Sequence, residues 1–272
     1  MEGLIDPIGV FDSGVGGLSV LRAICRQLPA QDVIFFGDQG HVPYGARSME
    51  EIQAFSESIT RYLLGQSARL IVVACNTASA AALHYLRRTF PQVPFVGMEP
   101  AVKPAAEQTR TGVVGVLATP ATFQGKLYAS VVERFAQGVI LLQDTCPGLV
   151  QQIEAGDLDG PKTHNILEKA LLPMLERHID TVVLGCTHYP FVIPLIQEIV
   201  GSEVRVIDPA PAVARQTVRL LEGLGNLSIA NKIGRTRYRT SGDPHQFERL
   251  LQCLIGVEGK AEQARWEGTT LL

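Results

Sequence analysis

Short, nearly continuous apolar runs recur along this chain with longer amphipathic stretches between them, and this alternation constrains the fold more than any other feature. The runs are IGVF (8–11), VIFFGD (33–38), LIVVAC (70–75), FVGM (95–98), VVGVLAT (113–119), VILLQDT (139–145), VVLGCT (182–187) and VRVID (204–208). Runs rich in Val and Ile without polar alternation suit strands of a parallel sheet covered on both faces. Helical spacing marks 16–28, 49–65, 78–89, 121–135, 147–155, 164–178, 211–224 and 244–255. Ser48 followed by Glu51 predicts a capping box at the start of 49–65. Strand–helix alternation implies right-handed βαβ units and a three-layer α/β protein.

The pattern also hints at an internal repeat. GVFDSG (9–14) resembles GVLATP (115–120), with Asp12-Ser13 matching Ala118-Thr119. A strand ending on a cysteine follows each after a similar gap, at Cys75 and at Cys186. The fold expected is therefore two pseudo-symmetric three-layer α/β domains with mostly parallel sheets and the site in the cleft between them. Pro-rich stretches at GMEPAVKPA (97–105) and DPAPA (208–212) place the boundaries. Residues 1–98 with 210–272 form the first domain, carrying Asp12 and Cys75. Residues 99–209 form the second, carrying Cys186 and His188. The segment 211–272 has no complete unit of its own and is expected to pack back on the first half.

Composition narrows the function. With 272 residues, 46% hydrophobic and 19% charged, the chain can bury two modest cores. A net charge of −3 with no long basic run argues against nucleic acid or an anionic membrane surface. No apolar run has the length of a membrane span. The N-terminal stretch MEGLIDPIGVFDSG lacks a basic region followed by an extended apolar one, so no signal peptide is expected. Five widely spaced cysteines without CxxC make a disulfide framework or a zinc site a poor fit. The expected compartment is the reducing cytosol, with no metal and no cofactor.

Two of those cysteines differ from the rest. A packing cysteine sits inside an apolar run, whereas Cys75 and Cys186 end theirs, where α/β sheets bind ligands. Each is followed at once by polar residues, Asn76-Thr77 and Thr187-His188. A thiol, with an ordinary pKa of about 8.5, can act as acid or base near neutrality when its surroundings tune it. Two thiols facing each other across a cleft suit inversion of a carbon centre, one removing a proton and the other returning one. A helix expected after each thiol would favour the thiolate through its N-terminal N–H groups. FDSGVGGL (11–18) offers a third strand-end site, whose glycines permit a tight turn and whose Asp12 suits an ammonium group or proton handling at a thiol. His188 is placed to partner Cys186. Cys25 and Cys253, on apolar helical faces, and Cys146 read as structural. Glu154 reads by default as a surface helix residue and VPYGAR (42–47) as a turn.

Four motifs in order, FDSGVGGL (11–18), VPYG (42–45), ACNTASA (74–80) and GCTHYP (185–190), make the chain resemble the cofactor-independent glutamate racemases of bacterial cell-wall synthesis. GCTHYP favours these over the related aspartate racemases. The resemblance covers nearly the whole chain. It implies that Cys75 and Cys186 are the catalytic acid/bases, with Asp12 assisting Cys75, His188 assisting Cys186, and Glu154 a further carboxylate near the second thiol. It implies a substrate held by Asp12, Ser13, Tyr44, Gly45, Asn76, Thr77, Thr187 and His188. In the family Cys75 would take the α-proton of D-glutamate and Cys186 that of L-glutamate, commonly in a homodimer. The sequence departs at GDQGH before VPYG and at Gln151-Gln152 beside Glu154. The last 20 or so residues match nothing specific.

Other readings compete. GVFDSGVGGLS followed by Asp38 looks like a dinucleotide fingerprint, but Ser19 stands at the third glycine position and Asp12 would face the phosphates. A non-catalytic amino-acid-binding module would leave the thiols silent. A racemase of aspartate would use the same two thiols. A cysteine hydrolase on Cys186 and His188 needs only one nucleophile and leaves Cys75 unexplained.

Overall fold

A computed structural model describes residues 6–225 and 233–272. Residues 1–5, the start of the stretch read for a leader, lie outside the described residues. The chain divides into two compact units, Met1–Met98 with Ala210–Leu272, and Glu99–Pro209.

The first unit begins with β1 (Ile8–Asp12), α1 (Leu18–Gln27), β2 (Val33–Gly37), a 3-10 turn (Tyr44–Ala46), α2 (Met49–Gly65), β3 (Leu70–Val73), α3 (Asn76–Thr89) and β4 (Phe95–Val96). Ser48 Oγ accepts from the Glu51 N–H while the Glu51 carboxylate accepts from the Ser48 N–H, so the expected capping box opens α2. Successive strand residues point to opposite faces. Phe36 packs against Tyr62 of α2, and its neighbour Phe35 against Phe247, a residue from the far end of the chain. All five residues of β1 and of β2 are buried, as a sheet covered on both sides requires.

The second unit runs α4 (Val102–Gln108), β5 (Val113–Ala118), α5 (Pro120–Gln124), α6 (Lys126–Phe135), β6 (Ile140–Asp144), α7 (Leu149–Glu154), α8 (Pro161–Leu175), β7 (Thr181–Gly185), a 3-10 turn (Tyr189–Val192), α9 (Ile193–Val200) and β8 (Arg205–Ile207). One face of its sheet, with Val114, Val116 and Val183, packs on Val102, Ala105, Tyr128 and Val131 of α4 and α6. On the other face Gly115 lies against Met174 of α8, so closely that a Cβ there would stand 2.8 Å from its sulfur.

The chain then returns to the first unit as α10 (Ala210–Gly223), β9 (Thr236–Thr240), α11 (Pro244–Ile255), β10 (Ala261–Gln263), β11 (Trp266–Glu267) and β12 (Thr270–Leu271). β9 pairs with β2 and β10 with β9, completing a parallel sheet of order β10-β9-β2-β1-β3-β4. The second unit's parallel sheet has the order β6-β5-β7-β8. β2-β1-β3-β4 and β6-β5-β7-β8 are the same arrangement, with β1 matching β5 and β3 matching β7. This is the pseudo-symmetry expected from the two GV-containing strands.

Several local expectations need correction. The helix expected over 121–135 is two, because Gly125 takes an extended conformation between them. Strand β9 departs from the sequence expectation, because TRYRT alternates charge where a core strand carries Val or Ile. Its Arg239 is nevertheless buried, and long Arg stems cover apolar surface while their heads reach outward. Cys253 does not lie on the buried face of α11. Phe247, Leu250, Leu251 and Leu254 form that face, and about 100° of rotation per residue leaves position 253 exposed beside it.

Candidate active site

In the first unit, the candidate side chains Asp12 and Cys75 come from the ends of adjacent strands β1 and β3. Asp12 closes β1 and is fully buried, and its Oδ2 accepts a hydrogen bond from the Gly14 N–H at 3.0 Å. The chain must pass close behind it. A Cβ on Gly17 would stand 2.7 Å from the Cβ of Asp12 and 3.1 Å from the carbonyl oxygen of Ala74, so only glycine lets the turn into α1 pass. Cys75 is the N-cap of α3, and its sulfur accepts from the Ala78 N–H at 3.4 Å. The same Sγ lies 3.6 Å from Ser13 Oγ.

Burial, and then the charge of Asp12, push the Cys75 thiol well above the ordinary range; the Ala78 and Ser13 hydrogen bonds pull only partly against them. The helix terminus does touch this sulfur, as expected, but it does not make a thiolate of it: low dielectric and a neighbouring anion win. Cys75 is therefore held as S–H. Asn76 and Thr77 open α3 and are buried. Among the described residues, nothing hydrogen-bonds the Asn76 amide at either its nitrogen or its oxygen. A buried polar group left in this way costs about 1–3 kcal/mol. Tyr44, on the 3-10 turn, is buried, while Gly45 beside it is partly exposed. Burial and then the neighbouring Asp38 hold the Tyr44 phenol well above its ordinary value, with smaller contributions from Cys75 and Asp12.

In the second unit, Cys186 directly follows β7 and is buried. Gly185 before it lies against Ala118, the counterpart of Asp12; a Cβ there would stand 2.7 Å from that of Ala118. Cys186 Sγ is 3.8 Å from His188 Nδ1, and His188 Nε2 is 2.6 Å from Glu154 Oε1. The three side chains form a line from carboxylate through imidazole to sulfur. Burial alone would lower the His188 pKa, but hydrogen bonds to Cys186 and Glu154, with their charges, outweigh it and hold the imidazole well above its ordinary value. No α-helix starts at Cys186, because His188 leads into a 3-10 turn containing Pro190. The cation facing this sulfur is imidazolium, not a helix terminus.

Each thiol thus has a partner of opposite character: Cys75 stands near a carboxylate and Cys186 faces an imidazole. Thr187 is buried between Cys186 and His188 in the chain. Glu154 is not the surface residue its helix pattern suggests, since its side chain is mostly buried against His188. Tyr189 anchors this loop by donating its hydroxyl to the Thr145 carbonyl at 3.2 Å. Cys146 is buried nearby, its N–H donating to Asp144 Oδ1 at 2.6 Å. Sequence reasoning misses two neighbours of Tyr44: Asp38, fully buried just after β2, and His41, whose Nδ1 lies 3.0 Å from Asp38 Oδ2. Their signal was available, because a strand-end aspartate six residues before a tyrosine is within reach of it on a returning turn. Among the described residues, no group of three or more His, Cys, Asp or Glu is arranged to hold a metal ion. No helix among them is long and apolar enough to cross a membrane.

The family profile described as Asp/Glu/Hydantoin racemase matches residues 8–217. The glutamate racemase of Pseudomonas aeruginosa is 51% identical over 249 residues, covering 92% of this chain and 94% of that protein. Among solved structures, the glutamate racemase isoform RacE1 of Bacillus anthracis superposes with a TM-score of 0.85 at 32% identity, covering 97% of this chain and 98% of that one. The Escherichia coli glutamate racemase, in complex with L-glutamate and the activator UDP-MurNAc-ala, gives a TM-score of 0.84 at 32% identity, covering 98% and 99%.

Proposed function

This chain belongs to the Asp/Glu/Hydantoin racemase family and is an isomerase, a glutamate racemase, and from that premise we propose that it inverts the α-carbon of glutamate by proton transfer between two thiols, Cys75 and Cys186. The observation that carries this reading is the opposed character of the two thiol environments. Asp12 and burial keep Cys75 protonated, ready to donate. Cys186 instead faces the imidazole of His188, which its contacts with Cys186 and Glu154 hold above its ordinary pKa, so the proton acceptor in this pair stands beside a cation.

In the direction from L-glutamate, the Cys186 thiolate takes the α-proton, breaking Cα–H and forming S–H. Cys75 then delivers its own proton to the opposite face of Cα and becomes thiolate. In the reverse direction Cys75 must be the base, and Asp12 is placed to relieve it of its proton. The reading requires each unit to present its thiol to one face of the same carbon, with Ser13, Tyr44, Gly45, Asn76, Thr77 and Thr187 holding the rest of the substrate. The unpartnered amide of Asn76 supports this assignment, since bound substrate would satisfy it. The relatives' names and the complex with L-glutamate support glutamate as the amino acid. We further propose that the product serves cell-wall synthesis in the cytosol and that the enzyme is a homodimer needing no metal or organic cofactor.

The test is isotopic. In deuterated water, D-glutamate newly formed from L-glutamate carries deuterium at Cα, because Cys75 delivers a solvent-exchanged deuteron. The remaining L-glutamate stays protiated early in the reaction, and the reverse direction mirrors this. Cys75→Ser and Cys186→Ser each stop inversion, since an unactivated serine hydroxyl is a poor base near neutral pH. Protium returned to product, deuterium entering the starting enantiomer as fast as the product, or substantial racemisation by either serine variant would overturn the two-thiol assignment. Aspartate inverted as fast as glutamate would overturn the substrate.

A further inference from the structure

The last residues of the chain, which match no motif, reach back to the turn carrying Tyr44. Asp38 is the meeting point. Its Oδ2 accepts from the Tyr44 hydroxyl at 2.6 Å and its Oδ1 from Ser241 Oγ at 2.6 Å and from Trp266 Nε1 at 2.9 Å. His41 Nδ1 lies within 3.2 Å of both oxygens. A carboxylate offers about four lone-pair sites, and donors from four side chains occupy this one fully. Asp38 is thus engaged by four side chains of its own unit.

The donors come from distant parts of the sequence. Ser241 follows β9, and its Oγ also accepts from the Gly40 N–H at 2.9 Å. Trp266 lies on β11, whose pairing with β12 is extended by two hydrogen bonds between Arg265 and Leu272. The β11–β12 hairpin is fastened to α2 where Ser58 Oγ donates to the Thr269 carbonyl. The rings pack as well. His41 stacks on Phe55 with centroids 4.0 Å apart, and Trp266 sets its edge against both, at 5.0 and 5.5 Å.

We infer that the C-terminal hairpin is a clamp on the substrate turn: Trp266 and Asp38 are positioning residues that lock Tyr44 and the 38–47 segment in the geometry the substrate meets. The inference rests on the assignment of Tyr44 and Gly45 to substrate binding. It assigns a role in this reaction to a tryptophan 228 positions away from the aspartate it touches.

Trp266→Phe keeps an aromatic ring at the position and removes the N–H. The expected result is faster hydrogen exchange at the amides between His41 and Arg47, by roughly fivefold, the factor that loss of one ordinary hydrogen bond carries. KM for both enantiomers should rise by a similar factor of roughly five while kcat stays within about twofold, because the loss falls on binding and not on proton transfer. Ser241→Ala, which removes a donor to the same oxygen without touching the hairpin, should shift both readouts the same way if the first variant folds poorly. Unchanged exchange over 41–47 would overturn the clamp. Faster exchange with unmoved KM, or a fall in kcat with KM unmoved, would overturn its role in positioning substrate. A parent protein inert on glutamate would instead refute the functional reading, and the exchange measurement would still decide the clamp.

Discussion

Glu154 Oε1 lies 2.6 Å from His188 Nε2, although the two residues are 34 positions apart and sit on different elements of the second unit. Both are largely shielded from water, with side-chain exposures of 12% and 3%. Burial would lower the His188 pKa, but the contact with Cys186 and then this one with Glu154 outweigh it and keep the imidazole protonated above the ordinary range. A protonated imidazole therefore faces the buried sulfur of Cys186.

Glu154→Gln keeps the shape and removes the charge, so His188 should lose its proton at lower pH. The alkaline limb of kcat/KM against pH should move down by about one unit or more, the usual effect of deleting a close opposite charge. The shift should be equal in both directions, because the enantiomers have equal free energy and kcat/KM must match. An unmoved limb in steady-state assays would show that His188 does not set it.

The same pair contributes to folding with a definite sign. The folded His188 pKa lies above its unfolded value of about 6.5, so the stabilisation is fully present below that value and is lost as pH rises through the raised folded one. The stability difference between the parent and Glu154→Gln, from urea denaturation, should therefore be largest in mildly acidic buffer and shrink at alkaline pH. A difference that grows with pH would reverse the sign and refute the assignment of charge to His188.

Asp12→Ala and His188→Ala should affect the two directions unequally, since each residue serves a different thiol. The inequality must appear in kcat and KM separately, with compensating ratios. Progress curves started from each enantiomer give all four constants. Matching losses in both parameters, both directions and both variants would remove the division of labour.

Asn76→Ala should separate stability from function. Among the described residues the buried amide has no hydrogen-bond partner, so its removal should leave the unfolding free energy from urea denaturation unchanged or raise it by up to about 1–3 kcal/mol. KM for glutamate should rise by about tenfold or more, as expected when a buried hydrogen-bonding group loses its ligand contact. A destabilised variant with normal KM would assign Asn76 to the core instead.

Gly17→Ala places a methyl group 2.7 Å from the Cβ of Asp12 and 3.1 Å from a backbone oxygen. Backbone cannot yield as a flexible side chain does, so the turn carrying Asp12 should shift. Activity should fall by about a hundredfold, the scale on which misplacement of about 1 Å is felt, with a stability loss of about 1–3 kcal/mol. A fully active variant would show that the position of Asp12 tolerates movement.

The sequence by itself determined the parts that are encoded between near neighbours. Continuous Val and Ile runs specify buried parallel strands, Ser48 and Glu51 specify the start of α2, and a thiol at the end of an apolar run specifies a side chain at the rim of a sheet. The repeat of strand and thiol was legible for the same reason. Only the tertiary structure decided which partner each thiol meets. Cys75 is kept neutral by burial beside Asp12, 63 positions upstream, a balance of dielectric and charge that no local helix rule contains. Glu154 leaves the surface that its helix pattern suggests because the loop after β7 brings His188 to it. Asp38 gathers donors from positions 41, 44, 241 and 266 because β9 inserts beside β2 and carries the end of the chain back across the first unit. Periodicity and capping act over one or two turns of chain, whereas these contacts exist only once the sheet has brought distant segments within hydrogen-bonding reach.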